Sequence, residues 1–89
     1  MIKLEIEDFI FEVKDEILSY EELGQQQADK WEQDFLAWLS NDKIKKKNIK
    51  TEKGQVFYLI DDESEIFDIA DKYCYAVEQN NVKQYWDKF

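Results

Sequence analysis

The side chains able to do chemistry in this 89-residue chain are carboxylates and amines: 21 Asp and Glu stand against 12 Lys, and His and Arg are absent. Without His there is no imidazole base and no imidazole metal ligand. That removes Ser-His-Asp and Cys-His catalysis. Without Arg there is no guanidinium fork for phosphates or base edges. Both absences point away from an enzyme and from a protein that reads nucleic acid directly, and no cofactor is expected.

The spacing of the acids carries more information than their number. Asp61, Asp62, Glu63, Glu65, Asp68 and Asp71 lead one helical segment, and Glu12, Asp15, Glu16, Glu21, Glu22, Asp29, Glu32 and Asp34 cover the N-terminal half. Acids three or four apart on a helix have Cβ atoms about 5–6 Å apart, close to the spacing of phosphates along one nucleic-acid strand. A rigid scaffold carrying such rows can fill a basic groove by charge complementarity. The same rows also serve solubility alone. As a partner-binding face the sequence offers Asp61, Asp62, Glu63, Glu65, Asp68, Asp71, Glu21, Glu22, Asp29 and Glu32, with Tyr75 and Trp86 as aromatic anchors. No metal ligand is assigned. The run "DDESE" lacks the glycine and spacing of a calcium loop, and a carboxylate-only magnesium site for phosphodiester cleavage has no signature here.

The charge is segregated. Residues 1–42 hold a net −9, residues 43–53 a net +5, and residues 54–89 a net −5. The basic island, "KIKKKNIKTEKG", is a local reversal in a negative field. One reading is a phosphate contact. The absence of Arg and of interleaved aromatics, and the repulsion from the remaining −14, favour another: lysines on an edge strand that discourage edge-to-edge pairing.

Cys74 is the single cysteine, so no internal disulfide forms, which suits a reducing cytoplasm. It lies beside an apolar stripe, and core packing is the expected role. No segment approaches the roughly 20 apolar residues needed to span a bilayer. The N-terminus "MIKLEIEDF" interleaves charges with its apolar positions, unlike a signal peptide.

The elements that must position these side chains follow from periodicity. Ile2, Leu4 and Ile6 alternate with charged residues, and Phe9, Phe11 and Val13 continue on odd positions. A hairpin with a Glu7-Asp8 loop would place all six on one face. A competing helical reading runs through Ile6, Ile10, Val13, Ile17 and Tyr20. The hairpin is preferred because it also accounts for Ile2 and Leu4. Residues 15–24 suggest a short helical turn ending at Gly24. Ala28, Trp31, Phe35, Trp38 and Leu39, widened by Leu36, form the stripe of the clearest helix, which stops at Ser40-Asn41-Asp42.

A second hairpin is expected around Glu52-Lys53-Gly54. Its first strand would be frayed by Lys45, Lys46 and Lys47, and its second, Val56 to Ile60, covered on both faces. Asp62 with Glu65 fits a capping box for a helix burying Ile66, Ile69, Ala70, Tyr73 and Val77, with Phe67 and Cys74 beside them. Asn81 with Gln84 can cap a last short helix whose Val82, Tyr85, Trp86 and Phe89 are expected to dock. The sum is a single α+β domain over residues 1–89, ordered ββαββα(α), with an antiparallel sheet packed against helices.

This profile of small size, acidity, many aromatics and no Arg resembles the compact inhibitors carried by phages and mobile elements, such as anti-CRISPR, anti-restriction and toxin-immunity proteins. The resemblance is one of profile and rests on no motif. It implies a protein partner, either a nucleic-acid-binding protein or a toxin, whose basic site the acids would occlude. The alternative is a small phage assembly or scaffolding protein that binds through an apolar or sheet-edge surface.

Overall fold

The computed structural model describes residues 1–89 as a three-stranded antiparallel sheet covered on one face by helices, an α+β fold. In chain order the elements are β1 (Ile2–Glu5), α1 (Ile6–Leu18), α2 (Gln25–Ser40), β2 (Ile49–Glu52), β3 (Gln55–Ile60), α3 (Ser64–Glu78) and α4 (Val82–Asp87). β3 is the central strand, with β1 and β2 at the edges.

The expected N-terminal hairpin is corrected. Only Ile2–Glu5 is extended, and the chain turns directly into α1 at Ile6. The helical reading prevails because it buries more. Phe9, Ile10, Val13 and Ile17 recur at helical spacing and are all buried, whereas the hairpin would have faced Phe11 inward, and Phe11 is 69% exposed. Glu7 and Asp8, which would have formed a glycine-free turn, instead sit in the first turn of α1, where the helix dipole favours anions. β1 finds its partner far along the chain: Ile2 lies opposite Ile60, and Leu4 opposite Tyr58. The observed order is therefore βααββαα rather than ββαββα(α).

The second hairpin forms as expected. Lys53 (φ +50°) and Gly54 (φ +82°) make a two-residue connection with both residues in the left-handed region, the geometry that matches strand twist. Lysine is a poor occupant of that region, where a side chain costs roughly 1–2 kcal/mol and Asn is better tolerated. Lys53→Asn should therefore raise stability by up to about 1 kcal/mol, read as a higher urea midpoint at unchanged m. An unchanged or lower midpoint would show that the turn is not strained at Lys53.

The lysine island is displaced from its expected place. β2 begins at Ile49, so Lys45, Lys46 and Lys47 lie in the loop before it, not on the edge strand. Lys46 Nζ donates to the Asn41 carbonyl oxygen at 2.6 Å and lies 5.9 Å from the centre of the Trp38 ring. Lys50 does sit on the edge strand and pairs with Glu52 at 3.0 Å.

The two faces of the sheet are covered differently. Ile2, Leu4, Ile49, Tyr58 and Ile60 point to the helices and join the core. On the other face Phe57 lies between Glu5 and Lys50 and is only 8% exposed. Its cover is made of charged side chains. Lys3 Nζ lies 4.6 Å above the ring and reaches across it to Glu52 at 3.0 Å. The apolar stems of such lysines shield an aromatic while their heads stay in water.

The core is largely aromatic. Phe9 stacks on Tyr58 at 3.8 Å between centroids, and Trp31 stacks on Phe35 at 5.1 Å. α4 folds back to close this cluster: Phe89 packs edge-on against Trp38 at 4.9 Å, and Trp86 lies 5.8 Å from Trp31. The docking expected of the C-terminal aromatics is thus observed. A polar relay locks it. Trp31 Nε1–H donates to the Tyr85 hydroxyl at 3.1 Å, which in turn donates to the Ile69 carbonyl oxygen at 3.0 Å. This ties α2, α4 and α3 together, while burial pushes the Tyr85 hydroxyl's pKa well up against the opposing hydrogen bond from Trp31. Two residues expected to flank the apolar stripes, Leu36 and Phe67, are exposed.

Candidate partner-binding surface

α3 is the platform of the surface. Its start is fixed by side chains, as the Asp62/Glu65 spacing suggests, with one register change. Asp62 accepts from the Ser64 backbone N–H at 2.8 Å and also from the Ser64 hydroxyl, and Glu65 reaches back to the Asp61 N–H at 3.0 Å rather than to that of Asp62. The hydrogen bonds from Ser64 hold the Asp62 carboxyl below the usual carboxylate range. The helix stops after Glu78, and Asn80 just beyond it takes the left-handed region at φ +53°. There the Asn81 N–H bonds the Ala76 carbonyl oxygen at 2.8 Å, and the Asn80 N–H bonds that of Val77 at 3.1 Å. These are the paired bonds of a Schellman stop. They turn the chain back so that α4 runs beside α3.

This frame sorts the predicted acids into two groups. Asp61, Asp62, Glu63, Asp68 and Asp71 are exposed on or just before α3, and Glu65 is half-buried beside them. Glu21 and Glu22 are exposed in the α1–α2 loop, which approaches the middle of α3: the Tyr20 hydroxyl donates to Asp71 at 3.2 Å. Desolvation, with the Asp71 charge as the next cause, pushes the Tyr20 hydroxyl up to about 12. None of these eight carboxylates is in an ion pair.

Asp29 and Glu32 differ. Both lie on α2 and share Lys14, at 3.0 and 2.6 Å. The Asp29 carboxyl is held low by hydrogen bonds from Gln25 and then from Lys14, and Lys14 is correspondingly raised. These two acids are partly neutralised from within and do not join the α3 group.

The two candidate anchors also separate. Tyr75 stands 65% exposed on α3. Trp86 is half-buried, packs on Trp31, Tyr85 and Phe89, and its ring N–H is buried without an acceptor. Trp86 is therefore less open to a partner than Tyr75, because its ring helps close the aromatic core.

Sequence reasoning missed a cleft of about 540 Å³ between α3 and α4. Glu65, Asp68, Lys72, Tyr75 and Gln79 line it from α3, Asn81, Gln84 and Lys88 from α4 and its flanks, and Asn48 and Tyr58 from the sheet side. The α3 residues recur at helical spacing along the border between its buried and exposed faces. That periodicity was the available signal, but nothing in the sequence says that α4 folds back to form the second wall.

Cys74 is buried in the core cluster, as expected. Its thiol donates to Glu78 at 3.8 Å, and Glu22 lies within the same 4.8 Å grouping. Burial first, then the charges of Glu78 and Glu22, push the thiol pKa up. A protonated, buried thiol is a poor nucleophile. Folded protein should therefore react with an aromatic disulfide reagent at pH 8 at least about tenfold more slowly than free cysteine. Equal rates would contradict this environment.

No helix is long and apolar enough to cross a membrane. No protein-family model, curated protein or solved structure matches the chain.

Proposed function

We propose that the protein is a non-catalytic inhibitor that binds a larger protein and covers that protein's basic nucleic-acid or substrate site with the acidic face of α3. One observation carries this reading. Asp61, Asp62, Glu63, Glu65, Asp68 and Asp71 cluster on and before one capped helix, and no lysine of the chain pairs with any of them. Unpaired charges on a rigid scaffold favour an oppositely charged surface and speed encounter with it. The segment is close at hand for pairing, since Lys72 lies on the same helix, yet it is left open. Tyr75, exposed among these acids, supplies an aromatic contact of the kind enriched at interface centres. The profile is that of anti-CRISPR, anti-restriction or toxin-immunity proteins of phages and mobile elements, acting in the cytoplasm.

A second reading is supported by the open edges of β1 and β2 and by exposed Phe11, Leu18 and Leu36: a phage assembly component docking through apolar or edge contacts. Salt separates the two. The tagged protein is used to recover its partner from host lysate, and the complex is washed at rising ionic strength. An electrostatic complex should dissociate as the Debye length shrinks from about 10 Å at 0.1 M towards about 3 Å at 1 M. A complex that survives high salt would reject the acidic-face reading in favour of the apolar one.

A further inference from the structure

We infer that the cleft between α3 and α4 is a peptide-binding groove that takes an extended segment of the partner protein carrying a Lys or Arg side chain. The inference rests on the proposed acidic-face binding and names the element of the partner that enters the site. Its dimensions suit a chain rather than a small molecule. From Glu65 to Gln79 the lining follows α3 for 14 residues, about 21 Å at 1.5 Å per residue. An extended chain rising about 3.3 Å per residue places about six residues along that length.

The lining chemistry is graded along the groove. At one end stand Glu65 and Asp68, neither held in an ion pair. Beside Glu65 lies the Tyr58 hydroxyl, which accepts from Asn48 at 3.4 Å; burial raises its pKa, with a further contribution from the Glu65 charge. This end offers two carboxylates to a cation, while the Tyr58 ring itself is buried against Phe9. At the other end Gln79 presents a side-chain amide, while the Asn81 side-chain N–H donates to the Gln84 side-chain oxygen. An amide can both donate and accept, which matches the alternating N–H and C=O groups of an extended backbone. Tyr75 stands along the same wall.

The lining itself carries two acids and two lysines, so a cationic occupant is favoured by the unpaired Glu65/Asp68 end and by the field of the surrounding chain. The chain from Asp61 to Phe89 has a net charge of −5. Lys72 and Lys88 also line the groove. Lys72 lies one turn beyond Asp68, so it repels a second cation from the middle of the groove and confines the basic side chain to the Glu65/Asp68 end.

The probe is the hexapeptide acetyl-Arg-Ala-Ala-Ala-Ala-Ala-amide, titrated into ¹⁵N-labelled full-length protein and followed by amide chemical shifts. Saturable shifts are expected at residues 65–79 and 81–89 and at Asn48 and Tyr58. Affinity should fall about tenfold in E65Q/D68N, and the same peptide with Glu in place of Arg should not bind. Q79A should weaken the peptide without changing the affinity of arginine amide. The absence of saturable shifts at the groove, or equal affinity in E65Q/D68N, would overturn the inference. Poly-L-lysine separates this failure from failure of the broader reading. If the hexapeptide does not bind but poly-L-lysine shifts Asp61–Glu63 and Glu21–Glu22, only the groove is rejected. If neither probe binds, both are.

Discussion

Replacing Trp31 with Ala should remove most of the protein's stability. The side chain is fully buried at the centre of the aromatic core, touching Phe9, Phe35 and Trp86. Truncating a buried aromatic costs roughly 3–5 kcal/mol, against a total of roughly 5–10 kcal/mol expected for a domain of this size. The loss reaches beyond the cavity. Trp31 also supplies the ring N–H that the Tyr85 hydroxyl accepts, and so helps seat α4 against α2 and α3. The melting temperature, followed by far-ultraviolet circular dichroism, should fall by at least about 12 °C, at about 4–8 °C per kcal/mol. Tyr85→Phe is the graded comparison. It keeps the ring but leaves the Trp31 N–H unpaired, at a cost of about 1–3 kcal/mol. A Trp31→Ala protein that melts within 4 °C of the parent would show that α4 and the core are held by something other than this cluster.

The second large effect concerns binding rather than folding. Neutralising Asp61, Glu63, Asp68 and Asp71 together, as Asn or Gln, should weaken the partner complex by about four- to several-hundredfold. Each exposed charge contributes roughly 0.2–1 kcal/mol, and every 1.4 kcal/mol is tenfold. Stability should change little, because none of the four is ion-paired and none caps α3. Asp62 and Glu65 are left in place because they hold the start of that helix. The control is the triple change of Lys45, Lys46 and Lys47 to Gln. It makes the field more negative and should leave binding intact or tighten it. Binding that is abolished by the lysine change and untouched by the acid change would move the interface to the α2–β2 loop.

How far the sequence led depends on the range of the signal. α2 was legible because Trp31, Phe35 and Trp38 repeat at helical spacing inside a polar segment and stop at a polar run. The second hairpin was legible because Gly54 marks a turn between two extended stretches. The N-terminal segment was not, because Ile2 to Val13 satisfies two periods at once. The choice between them was made by β3, whose free edge pairs with β1 across more than fifty residues, and by α2 and α3, which receive Phe9, Val13 and Ile17. Neither partner is visible from the segment itself.

The site follows the same division. The exposed acids of α3 could be named from spacing, since a helix places them on its surface whatever it packs against. The neutralisation of Asp29 and Glu32 on α2 could not, because Lys14 reaches them only through the packing of α1 on α2. The packing of Trp86 was hidden for the same reason: six residues of α4 carry no clear stripe, and its partial cover depends on Trp31 waiting opposite. The groove needed both α3 and the returning α4, so no single stretch of sequence encodes it.

The central claim, that the α3 acids occupy the basic site of a partner, is tested most directly by competition. The recovered partner is loaded with its fluorescent nucleic acid or substrate, and the protein is titrated in at low salt while anisotropy is followed. The account expects full displacement with an apparent affinity that weakens in proportion to added ligand, and loss of displacement in the Asp61, Glu63, Asp68 and Asp71 variant. A ternary complex, in which the protein binds while the nucleic acid or substrate stays in place, would contradict it.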